Sequence, residues 1–418
     1  MNELKILSIE FMRNSLESAY DRLKDVYFNT SALKAVRMYS PRDSVDLELW
    51  ALFCAVIDFQ IPVIGWLIPM LSGLCEEIES HGLKFIDLVY DLQLARKIFS
   101  TFDWGNDKKG FKHRFVNLDD LICFLASLKE VLTNYGSLGN FVKQLYEEAV
   151  NKDLKEPIEC VIKGLACELR SHFLNVYKKM GMLVPDPSGK SAFKRLNLFL
   201  RWMVRPYPDL GLWNFIDKKF LLVSLDAGVL RTVSRVFDVK FPGGSVWKNV
   251  LKVTKLFRNI NSEDPVKYDY VFSRPAIMGY CAKDPAKNRC YLCPLNETCS
   301  SASLPFKPKV KPLTSSKERK ILDEFLKIDG DKFDEVKTEY PVGGKSIDVV
   351  AHDRNCNWYV MEVEEKLNYT AIGQAVTYRK LFTEIKKIRP KAVIICRDAP
   401  LDLKTACEVD VGIEVILV

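Results

Sequence analysis

The sequence lacks the long apolar run that a transmembrane helix requires. Its most hydrophobic stretch, residues 49–75, is interrupted by Asp58, Gln60, Pro62 and Pro69. It therefore never approaches the ~20 consecutive apolar residues that span a bilayer. We predict that this stretch forms buried helices of a globular domain.

Compositional bias is also missing. The 418 residues are 48% hydrophobic and 28% charged, with 20 glycines and 19 prolines. These proportions exclude disordered, collagen-like and mucin-like proteins. The length allows two or three domains of about 100–200 residues each.

No apolar signal segment is visible in the charged N-terminal sequence MNELKILSIEF. We therefore expect a cytoplasmic protein. In a reducing compartment its 12 cysteines are expected to be thiols or metal ligands rather than disulfides.

Positive charge is concentrated although the formal net charge is only +7. Residues 187–205 contain five basic and no acidic side chains, and residues 281–320 contain nine basic and three acidic ones. Such clusters are typical of proteins that bind a phosphate backbone, with a solvated basic surface as the alternative. The predicted partner is DNA, in the form of a damaged or structured duplex, and RNA stays an alternative. The predicted nucleic-acid contacts are Lys190, Arg195, Arg201, Arg205, Arg231, Lys307, Lys309 and Lys311.

The pattern of apolar residues divides the chain into several parts, and we predict a multidomain protein. Apolar residues recur every three or four positions through residues 1–280, as in LDDLICFLASLKEVL, which predicts an all-helical domain. A cysteine-bearing loop at 281–300 and a Pro/Ser/Lys-rich linker at 301–316 follow. Residues 317–418 alternate like strands, and we predict a small α/β domain with the order helix, three-stranded meander, helix, strand.

Four cysteines lie close together in the loop at 281–300. Cys281, Cys290, Cys293 and Cys299 have the spacing C-x8-C-x2-C-x5-C. Structural zinc sites usually use two separated C-x2–4-C pairs, whereas a single tight loop suits a 4Fe–4S cluster, in which each iron takes one thiolate. We predict an iron–sulfur cluster, with zinc as the alternative.

The loop resembles the cluster loop of helix-hairpin-helix DNA glycosylases of the endonuclease III type, from which it differs by two residues in the first spacing. The segment LLVSLDAGVLRTVSRV is similar to the segment that carries the catalytic aspartate of that family. A functionally obscure branch of the superfamily is closer still, through FKHRF, YGSL, KRLNLFLRWMVR, DLGLW, LDAG and DPVKYDY. The resemblance covers about residues 40–300 and implies a glycosylase-like fold.

The same resemblance implies functional residues. The hairpin that grips phosphates would be MGMLVPDPSGKSAFKRL, with Lys194 as the Schiff-base lysine and Lys190 as the alternative. Asp226 would be the catalytic carboxylate. A desolvated lysine beside basic neighbours can be sufficiently unprotonated to act as a nucleophile. The alternative is that Lys194 contacts a phosphate and Asp226 caps a helix.

A base that is to be removed must first be flipped out of the stack, which requires a pocket for it. Trp202, Tyr207 and Trp213 are the aromatic residues that we expect to line this pocket.

The last 100 residues resemble the PD-(D/E)XK nuclease fold in the order of their elements. Strand periodicity places Glu362, Glu364 and Lys366 on one face, where Asp348 of the preceding strand can join them. Carboxylates hold Mg²⁺ or Mn²⁺ against a scissile phosphate, and we predict Asp348, Glu362 and Glu364 as ligands. The alternative is that these acids are solubilising charges on an edge strand.

Other residues of this domain are expected to complete the nuclease site. The lysine of the usual E-x-K motif is replaced by Glu364, and we expect Lys366 or Lys345 to substitute for it. The helix before the first strand offers Glu318 or Glu324 as a further acid. Gln374 and Tyr378, one turn apart on the following helix, match a pair found in the nuclease family.

Together these features predict a DNA-repair enzyme that combines base excision or lesion recognition with metal-dependent cleavage of DNA. A nuclease whose helical domain only binds DNA or RNA is one alternative. A non-catalytic nucleic-acid-binding protein is the other. The sequence identifies no protein partner and no membrane partner.

Overall fold

The computed structural model describes residues 2–39, 43–171, 183–302, 313, 315–343 and 345–418. The chain forms two compact units, one made of Met1–Asn288 with Glu297–Ser301 and the other of Arg289–Asn296 with Ala302–Val418. Within the described ranges, no helix combines the length and the apolar character needed to cross a bilayer. The predicted contacts Lys307, Lys309 and Lys311 lie outside these ranges, as does the start of the predicted hairpin.

The first unit is helical, as its three- and four-residue periodicity predicts. In its described residues, strand pairing is limited to the isolated bridges Asp103–Lys109 and Ser191–Val246. The helices are α1 (Asn2–Asn29), α2 (Leu33–Met38), α3 (Ser44–Val56), α4 (Ile68–Ser80), α5 (Phe85–Tyr90), α6 (Leu92–Thr101), α7 (Leu118–Tyr135), α8 (Leu138–Asn151), α9 (Pro157–Ser171), α10 (Lys194–Val204), α11 (Ala227–Phe237), α12 (Trp247–Ile260) and α13 (Asp269–Ile277).

Local sequence fixes where these helices begin and end, and α7 illustrates how. The side chain of Asn117 accepts the N–H of Asp120 at 2.9 Å, and the Asp120 carboxylate accepts the N–H of Asn117 at 3.0 Å. This reciprocal capping satisfies two otherwise unpaired donors at the start of the helix. Gly136, with φ of 77°, then ends it.

A buried ionic network ties α10 to the rest of the first unit. Arg205 Nη1 lies 2.7 Å from Asp209 Oδ2, and its Nε donates to Asp264 Oδ1 at 3.0 Å. Arg201 reaches Asp209 at 3.3 Å and Asp269 at 3.4 Å. Both arginines are only 2% exposed. The prediction that Arg201 and Arg205 contact nucleic acid is therefore wrong, because their charges are neutralised inside the fold.

The second unit is an α/β structure with helices on both faces of a five-stranded sheet of order β1-β2-β3-β4-β5. Strands β1, β2 and β3 are antiparallel, and β3, β4 and β5 are parallel. The elements are α14 (Ser316–Asp329), β1 (Phe333–Val342), β2 (Lys345–Asp353), β3 (Trp358–Lys366), α15 (Tyr369–Lys386), β4 (Lys391–Asp398), α16 (Leu401–Thr405) and β5 (Glu414–Leu417).

The predicted order of elements from α14 to β4 is present, and the sheet continues beyond it. Strand β5 pairs with β4 in parallel through Val415 and Ile394, among other residues. The sequence analysis missed α16 and β5, because they have only five and four residues and periodicity needs a longer window.

Candidate functional sites

The N-terminus of α10 positions Lys194. Phe193, the residue before it, adopts a left-handed conformation with φ of 46° and ψ of 38° although it is only 1% exposed. Such a backbone is strained for a side chain of this size. It turns the chain sharply, so that α10 begins at Lys194 itself.

Lys194 meets two carboxylates from different parts of the sequence. Its Nζ lies 3.4 Å from Asp226 Oδ2 and 3.9 Å from Asp58 Oδ2. Asp226 is also the N-cap of α11, where its Oδ1 accepts the N–H of Val229 at 2.8 Å. Asp226 thus combines the helix-capping role with a position beside the amine.

The electrostatics of this site favour an ion pair. Burial alone would lower the pKa of Lys194, but the negative charges of Asp58 and Asp226 outweigh it and raise that pKa. Burial would likewise raise the pKa of Asp226, but Lys194 and the Val229 N–H lower it overall. The two carboxylates next to the amine thus favour its protonated form, whereas the sequence analysis considered only its basic neighbours.

A small polar cavity of about 50 Å³ adjoins the pair. It is lined by residues from α1, α10, α11, α13 and the loops between helices, including Ser31, Asp58, Lys194, Asp226 and Arg274. One water occupies roughly 30 Å³ in the liquid, so the cavity has room for one or two waters. Within the described residues the buried Ser31 Oγ has no hydrogen-bond partner, which makes the cavity suited to a polar occupant.

Asp58 is the member of this site that the sequence analysis did not identify as functional. It follows α3, whose residues from Leu49 to Val56 are all buried. A charged residue at the end of such an apolar helix is unusual. This unusual position could have marked Asp58 as a candidate functional residue. Its partner Lys194, however, is far away in the sequence and is found only from the structure.

The other residues predicted to contact nucleic acid occupy varied positions. Lys190 is exposed, while its carbonyl accepts the N–H of Trp247 at 3.0 Å. Arg195 donates to the carbonyl of Val56 at 2.6 Å, and Arg231 donates to that of Cys281 at 2.9 Å. Both arginines are partly buried, and each donates a hydrogen bond to a main-chain carbonyl of the fold. Their contact with nucleic acid stays a prediction.

The three aromatic residues predicted for the base pocket do not line the cavity. Trp202 and Trp213 are buried at 0% and 3% exposure, and their Nε1 atoms donate to Tyr27 and Glu48 respectively. Tyr207 is 62% exposed and carries Arg37 over its ring. The first two are core residues whose N–H groups are satisfied internally.

The cysteine loop contacts α11 through an arginine. Arg235 Nη1 lies 3.1 Å from Cys281 Sγ and donates to Ala282 O at 2.8 Å and to Asn288 Oδ1 at 3.0 Å. Within the described residues, however, no three His, Cys, Asp or Glu side chains are grouped closely enough to hold a metal ion. The iron–sulfur cluster therefore stays a prediction.

In the second unit, strands β2 and β3 separate at the predicted nuclease residues. The ladder between these strands ends at the pair Val349–Met361. One residue further on, Asp348 Oδ2 accepts the N–H of Val363 at 2.9 Å in place of a main-chain carbonyl. Glu362 is only 3% exposed, and its Oε1 has no hydrogen-bond partner among the described residues.

Mutual repulsion and burial perturb these acids strongly. Burial, with the charges of Glu318 and Glu364 among others, raises the pKa of Asp348 to about 6. Burial and Asp348 are the main causes that raise the pKa of Glu362 to about 9. Glu364 also has a raised pKa, from burial and the charge of Glu318. Glu324, by contrast, pairs with Arg397 at 2.7 Å, so Glu318 is the helix acid that joins the group.

The lysines predicted to assist these acids lie elsewhere. Lys366 Nζ pairs with Asp398 Oδ2 at 2.8 Å and is exposed, and Lys345 is exposed at the start of β2. The pair on α15 is better placed. Burial raises the pKa of Tyr378, and Glu362 adds to this effect, while a hydrogen bond with Gln374 lowers that pKa. Tyr378 is therefore near enough to Glu362 and Asp348 for their charges to affect its pKa, and Gln374 is its hydrogen-bond partner.

A family model described as "Protein of unknown function (DUF2400)" matches residues 33–278, which is more than half of the chain. The match begins at the first residue of α2 and ends one residue after α13. It includes Asp58, Lys194 and Asp226 but neither the cysteine loop nor the second unit. No curated protein and no solved structure matches the chain.

Proposed function

This chain belongs to the DUF2400 family of proteins of unknown function, and from the chemistry of its sites we propose that it is a DNA-repair enzyme. The helical unit would act on a damaged or abasic nucleotide, and the α/β unit would cut the phosphodiester backbone. The observation that carries the proposal is the distance of 3.4 Å between Lys194 Nζ and Asp226 Oδ2.

An amine beside a carboxylate is the pair that substitution at a sugar C1′ requires. When a base leaves C1′, positive charge develops on the sugar, and the carboxylate of Asp226 would stabilise it. The amine of Lys194 would form the bond to C1′. Lys194 is a better candidate than Lys190, because Lys194 lines the cavity and Lys190 is exposed.

The size of the cavity favours lyase chemistry over extraction of a whole base. About 50 Å³ holds one or two waters, so a flipped base would require the surrounding helices to open. The C1′ aldehyde of an abasic sugar is much smaller. We therefore take an abasic site as the preferred substrate and base excision as the second activity to test.

The proposed function includes two inorganic groups, and the chain has the types of ligand that each of them takes. Cys281, Cys290, Cys293 and Cys299 would hold a 4Fe–4S cluster, and Arg235 Nη1, 3.1 Å from Cys281 Sγ, contacts one of these four ligands. Such a cluster supplies a rigid cross-link of its loop.

The acids of the α/β unit are the ligand types that a divalent cation takes, although among the described residues no three of them are grouped closely enough to hold an ion as they stand. Asp348, Glu362 and Glu364 would hold Mg²⁺ or Mn²⁺, and the unpartnered Oε1 of Glu362 is an oxygen available to a cation. When bound, the ion neutralises charge on the phosphate and activates water. The protein itself gathers the acids and fixes Asp348 through the Val363 N–H.

This group of acids supports a second candidate function, a metal-dependent nuclease whose helical unit only binds nucleic acid. The observation that favours it is the set of raised carboxyl pKa values at Asp348 and Glu362. Such perturbed groups cluster at functional sites.

One experiment separates the two candidates. The full-length protein is incubated with duplexes that carry uracil, oxidised, deaminated, alkylated or abasic sites, with EDTA, Mg²⁺ or Mn²⁺, and then with borohydride. A covalent adduct that is lost in Lys194→Ala supports the first function. Nicking that survives Lys194→Ala and Asp226→Ala but disappears in Asp348→Ala selects the second. Neither adduct nor nick across the panel would refute both.

A further inference from the structure

Asp58 lies in the loop that follows α3, buried beside Lys194. It is 8% exposed, and its Oδ2 lies 3.9 Å from Lys194 Nζ. Within the described residues, Lys194 is its only ion-pair partner at 4 Å or less. A buried carboxylate is expensive to keep unless it has a partner or a function.

The loop that carries Asp58 is held from both sides. Arg195 Nη1 donates to the carbonyl of Val56 at 2.6 Å, and His113 Nε2 lies 3.2 Å from the carbonyl of Ile57. The ring of Phe59 lies 4.2 Å from the Arg195 guanidinium and 4.6 Å from the ring of His113, measured to ring centroids. His113 belongs to the segment FKHRF, so this segment helps to hold the loop that carries Asp58 in place.

The two carboxylates beside Lys194 are not equivalent. Asp226 accepts the N–H of Val229 at 2.8 Å as a helix cap, which favours its ionised form. No backbone N–H among the described residues donates to the carboxylate of Asp58. Asp226 is therefore held by the backbone of α11, whereas the carboxylate of Asp58 faces Lys194 without such a hydrogen bond.

We propose that Asp58 accepts the proton of Lys194 when the amine condenses with the C1′ aldehyde of an abasic site. This inference rests on the function proposed above. The distance of 3.9 Å is long for proton transfer, as is common before a substrate is bound.

The step balances with the residues at hand. The Lys194 ammonium gives one proton to the Asp58 carboxylate, which leaves a neutral amine and a carboxylic acid. The lone pair of the amine attacks the aldehyde carbon, and one proton of the attacking nitrogen moves to the oxygen, which becomes a hydroxyl. This hydroxyl takes the proton back from Asp58 and leaves as water. The products are a protonated imine, one water and the regenerated Asp58 carboxylate.

Several groups besides Asp58 determine the charge state of Lys194. The titratable and charged side chains around the cavity are Tyr27 of α1, Asp58 after α3, Arg195 and Arg201 of α10, Asp226 before α11, and Asp269 and Arg274 of α13. Asp58 and Asp226 raise the pKa of Lys194, and Arg195 lowers it. Removing the charge of Asp58 therefore lowers the pKa of Lys194. If the charge of Asp58 were its only contribution, its removal would make Lys194 a better nucleophile at pH 7.

The test measures the rate of borohydride trapping of the full-length protein on a duplex with one abasic site, from pH 5.5 to 10. We expect Asp58→Asn to trap about 100-fold more slowly at pH 7, which is the typical loss when a general base is removed. The rate should recover toward pH 10, where hydroxide can take the proton. Asp21→Asn, an exposed carboxylate on α1, is the matched control and should trap like the wild type.

A purely electrostatic role of Asp58 predicts the opposite result. Asp58→Asn would then trap at pH 7 as fast as the wild type or faster, because Lys194 would lose its proton more readily, and this result would overturn the inference. Asp58→Glu, which keeps a carboxylate, should retain at least a tenth of the rate, and its failure in a folded protein would also count against the inference. If the wild type forms no adduct at any pH, the proposed function itself fails.

Discussion

Replacing Glu362 by Gln is expected to stabilise the α/β unit at alkaline pH. Burial and the neighbouring acids raise the pKa of Glu362 from 4.5 to about 9. Below pH 4.5, Glu362 is protonated in both the folded and the unfolded chain, and its raised pKa does not lower the free energy of unfolding. As the pH rises from 4.5 to about 9, that free energy falls progressively. At pH 8 the folded state still holds a proton that the unfolded chain has released. At about 1.4 kcal/mol per pH unit, the penalty on folding reaches roughly 3–5 kcal/mol, and Gln does not incur it.

The assay is urea unfolding in EDTA at pH 5 and pH 8. Trp358 is the only tryptophan after residue 302, so fluorotryptophan labelling and ¹⁹F NMR follow the α/β unit within the full chain. We expect Glu362→Gln to be more stable than the wild type by roughly 3–5 kcal/mol at pH 8 and by much less at pH 5. Glu365→Gln is the control, because Glu365 lies on the same strand but is exposed and pairs with Lys317.

The comparison at two pH values separates a buried proton from a simple change in packing. A packing effect would change the stability of Glu362→Gln equally at pH 5 and pH 8. If the wild type and Glu362→Gln lose stability in parallel between these values, Glu362 titrates normally, and the assignment of a strained acid group to β2 and β3 is refuted.

Two further predictions concern the helical unit and the cysteine loop. Arg205→Met should destabilise the helical unit by about 3–5 kcal/mol in thermal unfolding, because it leaves the buried Asp264 without its arginine and removes the shorter of the two ion pairs of Asp209. Lys219→Met, which removes an exposed ion pair, should change stability by less than about 1 kcal/mol. Cys281→Ala should abolish the brown colour and the bound iron of anaerobically purified protein, while Cys167→Ala at an exposed position should not; stoichiometric zinc in the wild type would contradict the cluster.

The helical unit and the order of elements from α14 to β4 could be predicted from the sequence, because both depend on local patterns. Apolar periodicity and capping residues determine a helix such as α7 without reference to distant residues. The pairing of Lys194 with Asp226 could be expected only from a family resemblance. The structure brings these two side chains within 3.4 Å, although 31 residues separate them in the sequence.

The predictions that failed all depended on contacts between distant parts of the sequence. Arg201 and Arg205 stand in a basic cluster of the sequence, but Asp264 and Asp269 neutralise them from more than 50 residues away. Charge counted along the chain therefore overstated the basic surface. Asp58 was overlooked for the same reason, since an isolated aspartate acquires meaning only next to Lys194.

Three of the sequence motifs noted above contribute residues to the cavity beside Lys194 or to the loop that carries Asp58. FKHRF contributes His113, which holds the loop of Asp58. RWMVR and DPVKYDY contribute Arg201 and Asp269, which line the cavity and belong to the buried ionic network. For Lys194, Asp58 and Asp226 to act together as proposed, their distances must be kept within fractions of an ångström, and the buried ionic network around them would provide that rigidity. We therefore expect substitutions in these motifs to impair the site even where the altered residue does not touch a substrate.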